Sequence, residues 1–333
     1  MAQPYTPIPP VHPDDAAYQA AAAAEAAHWS DPATISVADA LALAPLGPMK
    51  RYYNRRCTGS ELQAWLDVIS QNGPYTRGLI LGCGGIVYEE RILEANPDVA
   101  WTFCDIDPGS LHHRLDRFAD RYPGRIQDRQ LDFNFAELEP NAYDLIVSAA
   151  SLHHVVNLEH IAAQINRALT PEGRFYLSDF TGASGFRFPE GQRRVFEVLY
   201  ERERARRPEA HLPPIAWRNV DDGTYSPFEA VRSADVIAVL ARHLREESRR
   251  AVGTVIGLLF FAGIAEQYRR PPKKRPSPLD RILRRGAVPA ADTIVWEEML
   301  SPACFADLIL ADELLTDANI FPPNNTFAIY SKA

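Results

Sequence analysis

Two features near the middle of the 333-residue chain have the residue types and spacing to bind a nucleotide-like ligand. Gly82-Cys83-Gly84 follows an apolar run and precedes a predicted helix. Glycines permit positive φ and close backbone approach, so such a turn directs helix N-terminal amides at a ligand. Asp105 ends the next apolar run, where a carboxylate can accept hydrogen bonds from both ribose hydroxyls of an adenosine-containing cofactor.

Two adjacent histidines, His153 and His154, follow the fourth predicted strand. Parallel sheets bind ligands at the carboxyl ends of their strands, and imidazole suits proton transfer near neutral pH. We therefore predict that one of the two is a general base for a hydroxyl or carbon acceptor. The alternative is that one caps or packs the loop while the other faces the acceptor.

The glycine turn departs from the dinucleotide pattern G-x-G-x-x-G, because Val87 stands where the third glycine is expected. That glycine allows close helix packing behind a pyrophosphate. A cofactor without a pyrophosphate, such as S-adenosylmethionine, tolerates the loss better. A nicotinamide oxidoreductase therefore ranks last among the candidate functions.

Short apolar runs alternate with amphipathic segments between residues 78 and 180, which predicts a doubly wound parallel sheet. The predicted strands are 78–81, 100–104, 125–131, 143–148 and 173–179. The predicted helices between them are 87–95, 109–121 and 158–168.

The flanks of this core divide into five predicted segments. They are a flexible tail (1–13), an N-terminal helical cap (14–77), the core (78–180), a cap or substrate insertion (181–300) and a final helix and strand (301–333). Further helices are predicted at 14–29, 61–70, 196–207, 227–245 and 302–315, and a strand at 326–331. The apolar run 251–265 is predicted as an interface helix or a helix of the cap core, and the basic, proline-rich segment 269–285 as a loop.

The motifs of the core resemble, in order and spacing, those of class I S-adenosylmethionine-dependent methyltransferases. They are GCGG (82–85), CDID (104–107), LDFN (131–134), YDLIVSAASLHH (143–154) and LTPEGRF (169–175). The flanking sequences YNRR (53–56) and EAVRS (229–233) resemble a bacterial subgroup that acts on small molecules. The resemblance implies an α/β, Rossmann-like fold with a seven-stranded sheet, with helical caps on either side.

The resemblance also implies roles for individual residues in binding S-adenosylmethionine. Gly82, Cys83 and Gly84 would line the methionine and ribose part, and Asp105 would take the ribose hydroxyls. Ile106 would pack on the adenine, Asp132 would accept from its amino group with Phe133 alongside, and Ser148 or Ala149 would offer backbone to the methionine ammonium. The sequence departs from the family at Ile80 and Ile86, where an acid and a glycine are frequent.

Two further clusters are candidates for acceptor recognition. Tyr52, Tyr53, Arg55 and Arg56 are interpreted as a lid over the cofactor, or alternatively as surface anchors of an N-terminal helix. Glu229 and Arg232, three residues apart on a predicted helix, share one face. They are interpreted as a structural ion pair, with acceptor recognition as the alternative.

Composition narrows the class of partner. The formal net charge of −8 argues against a nucleic-acid partner, and four cysteines without a C-x-x-C pair predict neither a disulfide framework nor a metal site. No secretory signal or membrane-length apolar run is found, so a cytoplasmic protein is expected. A homodimer is left open.

The sequence thus predicts a methyltransferase that moves a methyl group from S-adenosylmethionine to oxygen, carbon or nitrogen of a small metabolite. The alternatives are a cyclase or decarboxylase that uses the same fold and cofactor, or a non-catalytic scaffold.

Overall fold

The computed structural model describes residues 9–31, 47–83, 89–218, 220, 225–264, 269–270, 293–294 and 300–333. The strands of the main sheet are β1 (Arg77–Leu81), β2 (Ala100–Asp105), β3 (Ile126–Gln130), β4 (Tyr143–Ala149), β5 (Leu169–Phe180), β6 (Leu244–Val252) and β7 (Asn325–Lys332). Arg269–Arg270 and Thr293–Ile294 pair separately as a short antiparallel ladder.

Helices flank the sheet and form the caps. They are α1 (Ala16–Ser30), α2 (Pro48–Thr58), α3 (Trp65–Gln71), α4 (Glu89–Ala95), α5 (Pro108–Ala119), α6 (Leu158–Ala168), α7 (Glu190–Arg206), α8 (Val236–His243), α9 (Leu258–Phe261) and α10 (Pro302–Asp317). Asp15 caps α1, because its Oδ1 accepts a hydrogen bond from the Ala17 amide at 2.8 Å.

The sheet has the order β3-β2-β1-β4-β5-β7-β6. Strands β1 to β5 pair in parallel, and β7 lies antiparallel between β5 and β6. The predicted doubly wound, seven-stranded sheet is confirmed. Its order reverses between β1 and β4, and this switch point is where open α/β sheets bind ligands.

The central strands are apolar on both faces because helices cover both sides of the sheet. Ile146 of β4 packs on one side in a core with Ile161 of α6 and Val239 of α8. Val147 of β4 packs on the other side with Ile92 of α4. This double burial explains why β1 and β4 contain the continuous apolar runs 79–81 and 145–147 rather than alternating patterns.

The predicted helix 227–245 is wrong. The chain forms turns up to residue 232, a single 3-10 turn at Ser233–Asp235 and then α8, and it enters β6 at Leu244. β6 reads Leu-Arg-Glu-Glu-Ser-Arg-Arg-Ala-Val, without an apolar run. It is an edge strand with mostly exposed side chains, and pairing with β7 outweighs its weak intrinsic β-propensity.

The apolar run 251–265 contributes to the core of the C-terminal cap. Val255, Ile256 and Leu259 are fully buried in a cluster that also contains Phe196 of α7 and Leu308 of α10. The run therefore lies in the cap core, but the predicted helix is wrong, because the run ends β6, passes through turns and forms only the short helix α9. Of the basic segment 269–285, only Arg269–Arg270 lies within the described residues.

Within the described part of the chain, no helix combines the length and apolar character needed to cross a membrane.

Candidate functional site

A cavity opens at the carboxyl ends of β1, β2 and β4, beside the switch point of the sheet. The space between its lining atoms is about 860 Å³, open solvent at the mouth included. The residues that line it are Glu25, Trp29, Ile80, Gly82, Glu89, Ile92, Asp105, Ile106, Asp132, Phe133, Asn134, Val147, Ala149, Ala150, Ser151, His154, Val155 and Phe228.

The glycine turn and the end of β2 fix the position of Asp105. Its carboxylate accepts hydrogen bonds from the Cys83 amide at 2.8 Å and the Asp107 amide at 3.0 Å. Gly82 has a φ of +79°, and a Cβ there would lie 2.4 Å from the Cβ of Ser151. Only glycine fits this turn, which brings the backbone against the wall of the cavity.

Asp132 stands in the loop after β3, with its carboxylate held by two neighbours. Oδ1 accepts from the backbone amide of Asn134 at 2.9 Å and from its side-chain amide at 3.0 Å. Oδ2 accepts from the Tyr18 hydroxyl of α1 at 2.6 Å. Burial, together with the adjacent Asp132 carboxylate, raises the pKa of Tyr18 well above its usual value, so the phenol stays a donor.

A 3-10 turn, Leu152–His154, follows β4 and carries the histidine pair. His153 is buried, with its Nδ1 2.5 Å from Oδ1 of Asp179 on β5 and its Nε2 3.3 Å from Oε1 of Glu229. Burial opposes the charge, but these two carboxylates outweigh it and raise the pKa of His153 to about 10. His153 is therefore an imidazolium at neutral pH.

His154 lines the cavity and is oriented from α1. Its Nδ1 lies 2.9 Å from Oε1 of Glu25, and its Nε2 lies 3.7 Å from Oε2 of Glu229. The Trp29 ring meets its imidazole edge-on, with 5.4 Å between ring centroids. The two imidazoles thus alternate with the three carboxylates of Glu25, Asp179 and Glu229.

The two carboxylates nearest His154 stay ionised although they are buried. Burial would raise the pKa of Glu25, but the charge and hydrogen bond of His154 lower it to about 2, with help from the Phe228 amide. Burial would likewise raise the pKa of Glu229, and the two histidines hold it below its usual range.

Residues 79–175 match a family model described as a methyltransferase domain. This stretch runs from β1 into β5 and contains the glycine turn, Asp105, Asp132 and the histidine pair. Over these residues the chain is similar to methyltransferase domains, and we refer to the stretch 79–175 as the methyltransferase domain.

Curated relatives match part of the chain. Highly reducing polyketide synthase 2 of Gibberella zeae is 27% identical over 140 residues, which are 38% of this chain and 6% of that protein. A malonyl-[acyl-carrier protein] O-methyltransferase of Paenibacillus is 27% identical over 153 residues, which are 41% of this chain and 55% of that one. The chain thus spans about half or far less of the length of the curated relatives it matches.

Solved structures resemble the chain over most of its length at low identity. A geranyl diphosphate methyltransferase in complex with geranyl diphosphate and sinefungin aligns with a TM-score of 0.46 and 10% identity, covering 94% of this chain and all of that one. A putative sarcosine dimethylglycine methyltransferase from Galdieria sulphuraria aligns with a TM-score of 0.44 and 13% identity, covering 83% and 87%.

The structure brings most of the predicted cofactor residues of the methyltransferase domain to one cavity. Gly82, Asp105, Ile106, Asp132, Phe133 and Ala149 line it, whereas Cys83 and Ser148 are buried beside it. Cys83 contributes its backbone amide to Asp105. Ser148 lies inside the sheet, paired with β1 and β5, so of the two strand-end candidates Ala149 reaches the cavity. Gly84 lies outside the described residues.

The tyrosine–arginine cluster of α2 is contradicted as a lid by its contacts. Tyr52 donates to the buried Asp312 at 2.6 Å, and the side-chain amide of Asn325 donates to the Tyr53 hydroxyl at 3.0 Å. Arg55 and Arg56 form ion pairs with Glu313 and Asp317 at 2.8 and 2.7 Å. These bonds fasten α2 to α10 and β7, and none of the four residues lines the cavity as described. Their contacts are those of the anchoring alternative.

Glu229 and Arg232 do not pair with each other. They lie in turns rather than on a helix, so the predicted shared face is wrong. Glu229 instead faces the two histidines. Arg232 binds Glu159 through two hydrogen bonds of 2.8 and 2.9 Å and is structural.

Among the side chains that were not predicted, Tyr18, Glu25, Trp29 and Asp179 contact Asp132 or the histidine pair. Tyr18, Glu25 and Trp29 are spaced i, i+7 and i+11, which places them on one face of α1. They are the non-alanine residues of that face, and this pattern was the available signal. Asp179 is the last residue of the predicted strand 173–179 and lies next to the end of β5. A carboxylate at the carboxyl end of a parallel strand lies at the edge where such sheets bind ligands, and this was the available signal.

One group among the described residues has the geometry to hold a metal ion. Ligand atoms of His153, His154 and Glu229 all lie within 4.8 Å of one another. In the structure these atoms are engaged in the imidazole–carboxylate network.

Proposed function

We propose that the protein is an S-adenosylmethionine-dependent methyltransferase that methylates an oxygen, carbon or nitrogen atom of a small-molecule acceptor. The histidine pair favours oxygen or carbon over nitrogen. One observation carries the proposal. A single cavity is lined both by Asp105, at the position suited to an adenosine ribose, and by His154, a group suited to an acceptor proton.

The residues present fit the cofactor. Because Gly82 has no Cβ, the turn packs directly on Ser151 in the wall of the cavity. Two backbone amides, rather than a cationic side chain, orient the carboxylate of Asp105. Ile106 and Phe133 add apolar surface to the lining of the cavity. When bound, the cofactor supplies a sulfonium-activated methyl group, so the protein mainly has to align the acceptor opposite the sulfur.

The two histidines are proposed to differ in role. His153 holds its proton between Asp179 and Glu229 and acts as a fixed positive charge rather than a base near neutral pH. His154 lines the cavity and its Nδ1 faces Glu25, so in the neutral form of the ring, with the proton on Nδ1, Nε2 is the proton acceptor. This tautomer is inferred from the carboxylate partner. We assign removal of the acceptor proton to His154.

The acceptor is proposed to be a small acyl compound, free or carried. The name of the Paenibacillus relative places a methyl group on an oxygen of a malonyl group, and the Gibberella zeae relative is named a polyketide synthase. The net charge of −8 supports an acceptor other than nucleic acid. We further propose action in a bacterial cytoplasm, and a homodimer stays a prediction.

The test begins with calorimetric titration of the purified chain with S-adenosylhomocysteine and, separately, NADH. Binding of the first alone, weakened in Asp105→Asn, is expected. Incubation with S-adenosylmethionine and malonyl thioesters, free and carrier-bound, should then yield a product heavier by one methylene unit. A product without added mass would instead favour the cyclase or decarboxylase alternative, and absence of binding would contradict the proposal.

A further inference from the structure

Helix α1 contacts both ends of the cavity. Tyr18, in its first turn, binds Asp132 at the cofactor end, and Glu25 binds His154 at the acceptor end. The two residues are seven apart, which is about two helical turns or roughly 10 Å along one face. A single rigid element therefore spans the distance between the two groups.

The attachment of α1 depends on few contacts. Nine of its fifteen residues are alanine, which bury little apolar surface, and Tyr18 and Glu25 are its fully buried side chains. Tyr18 stacks on Phe228 with ring centroids 5.5 Å apart and meets Phe135 edge-on at 5.2 Å. Beyond the small apolar cluster around Tyr18, the hydrogen bond to Asp132 and the contact with His154 attach α1 to the rest of the protein.

The carboxylate of Glu25 is fully oriented. Oε1 accepts from the Trp29 indole at 2.7 Å and faces Nδ1 of His154, while Oε2 accepts from the Phe228 amide at 3.0 Å. It fixes the imidazole plane and leaves Nε2 on the side of Glu229. This is the arrangement by which a carboxylate sets the tautomer and direction of a histidine.

A ligand in the cavity contacts α1 directly, because Glu25 and Trp29 form part of its wall. Any ligand that binds the docked position of α1 better than an undocked one stabilises the docked position. Asp132, the carboxylate assigned to the adenine amino group, is already the docking partner of Tyr18.

We propose that Glu25 is a positioning residue for His154, and that Tyr18 ties it to the cofactor end, so that cofactor binding assembles the acceptor end through α1. The inference rests on the proposed function. It adds that His154 is held in place as the base only while α1 is docked.

Hydrogen exchange of residues 16–30, with and without S-adenosylhomocysteine, tests the coupling. The ligand should slow exchange in the wild type and in Gln19→Ala, an exposed site on the same helix. In Tyr18→Phe the protection should be lost and the affinity reduced roughly three- to ten-fold, as expected for one hydrogen bond. Glu25→Gln keeps the shape but removes the charge, and should weaken the protection.

The ring ¹⁵N signals of His154 test the positioning role, which a merely structural residue would leave unmoved. Glu25→Gln should change the Nδ1 signal, and Tyr18→Phe should change it in the same direction although Tyr18 does not touch His154. Ligand binding without added protection of α1, or unchanged ring signals in Tyr18→Phe, would overturn the coupling alone. A wild type that binds no S-adenosylhomocysteine would overturn the proposed function, and the coupling with it.

Discussion

The carboxylate of Glu25 lies 2.9 Å from Nδ1 of His154, although the two residues are 129 positions apart in the chain and one of them lies outside the methyltransferase domain. The contact completes a row in which three carboxylates alternate with two imidazoles, in the order Asp179, His153, Glu229, His154 and Glu25. The acceptor end of the site is therefore built jointly by β4, β5, the turn after residue 225 and α1.

Asp105→Asn should weaken binding of S-adenosylhomocysteine. Hydrogen bonds to a charged group contribute about 1.5–3 kcal/mol, so the affinity should fall roughly ten- to a hundred-fold. Asp128→Asn, on the exposed part of β3, is the control and should bind as the wild type does. Titration calorimetry measures both, and equal affinities in the two variants would remove Asp105 from the site.

Gly82→Ala should destabilise the fold and close part of the cavity. The positive φ costs about 1–2 kcal/mol for a residue with a Cβ, and the overlap with Ser151 adds to this cost. Gly124→Ala has a similar φ of +71° with no atom within 4 Å of the added Cβ, so it reports the backbone cost alone.

Thermal unfolding should therefore place Gly82→Ala below Gly124→Ala. Adding Ser151→Gly should restore part of the difference, since it removes the atoms that the new methyl group meets. A double variant no more stable than Gly82→Ala would show that Ser151 is not the obstacle.

The core of the fold could be predicted because its strands are buried on both faces. β1 and β4 are short, continuous apolar runs, and their boundaries in the structure differ from prediction by one residue. The positions of Asp105 and the histidines at this edge of the sheet could be predicted as well, since Asp105 ends β2 and the histidines come within five residues of the end of β4. β6 could not, because an edge strand rich in arginine and glutamate owes its conformation to pairing with β7.

The rest of the site depends on which helix packs over which strand end. The sequence of α1 indicates a helix with one polar and aromatic face. The contacts of this face with Asp132 and His154 join residues more than 100 positions apart, so the local sequence does not predict them. In the same way, the tyrosines and arginines of α2 have the types of a lid, and it is the packing of α10 that turns them into anchors.

Stability should fall as the pH rises above neutrality because of His153. Its pKa in the folded protein, about 10, lies above the ordinary value of 6.5. The stabilisation is therefore fully present below pH 6.5 and is lost as the pH rises toward 10. Melting temperatures between pH 6 and 10 measure the slope, which should flatten in Asp179→Asn because the partner charge is gone. His160→Gln, a histidine bonded to a backbone carbonyl, should keep the slope of the wild type.

Tyr52→Phe should lower stability without changing the affinity for S-adenosylhomocysteine. It removes a hydrogen bond to Asp312, a buried carboxylate that also accepts from the Gly253 amide at 3.0 Å, at a cost of about 1.5–3 kcal/mol. Arg55→Ala breaks a half-exposed ion pair and should cost under about 1 kcal/mol. Reduced ligand affinity in Tyr52→Phe at unchanged stability would return this residue to the lid interpretation.

Metal removal should leave ligand binding and stability unchanged, despite the geometry of His153, His154 and Glu229. A divalent ion binds such a site when it supplies the positive charge that compensates the buried carboxylates. Here Nε2 of His153 already lies 3.3 Å from Glu229, and its Nδ1 is held by Asp179, so the imidazolium supplies that charge. Protein treated with a chelator should therefore bind S-adenosylhomocysteine as before, and added Zn²⁺ or Mn²⁺ should not raise the melting temperature. A stoichiometric metal found by mass spectrometry, and lost in Glu229→Gln but not in Arg232→Gln, would contradict this and make the histidine pair a ligand set.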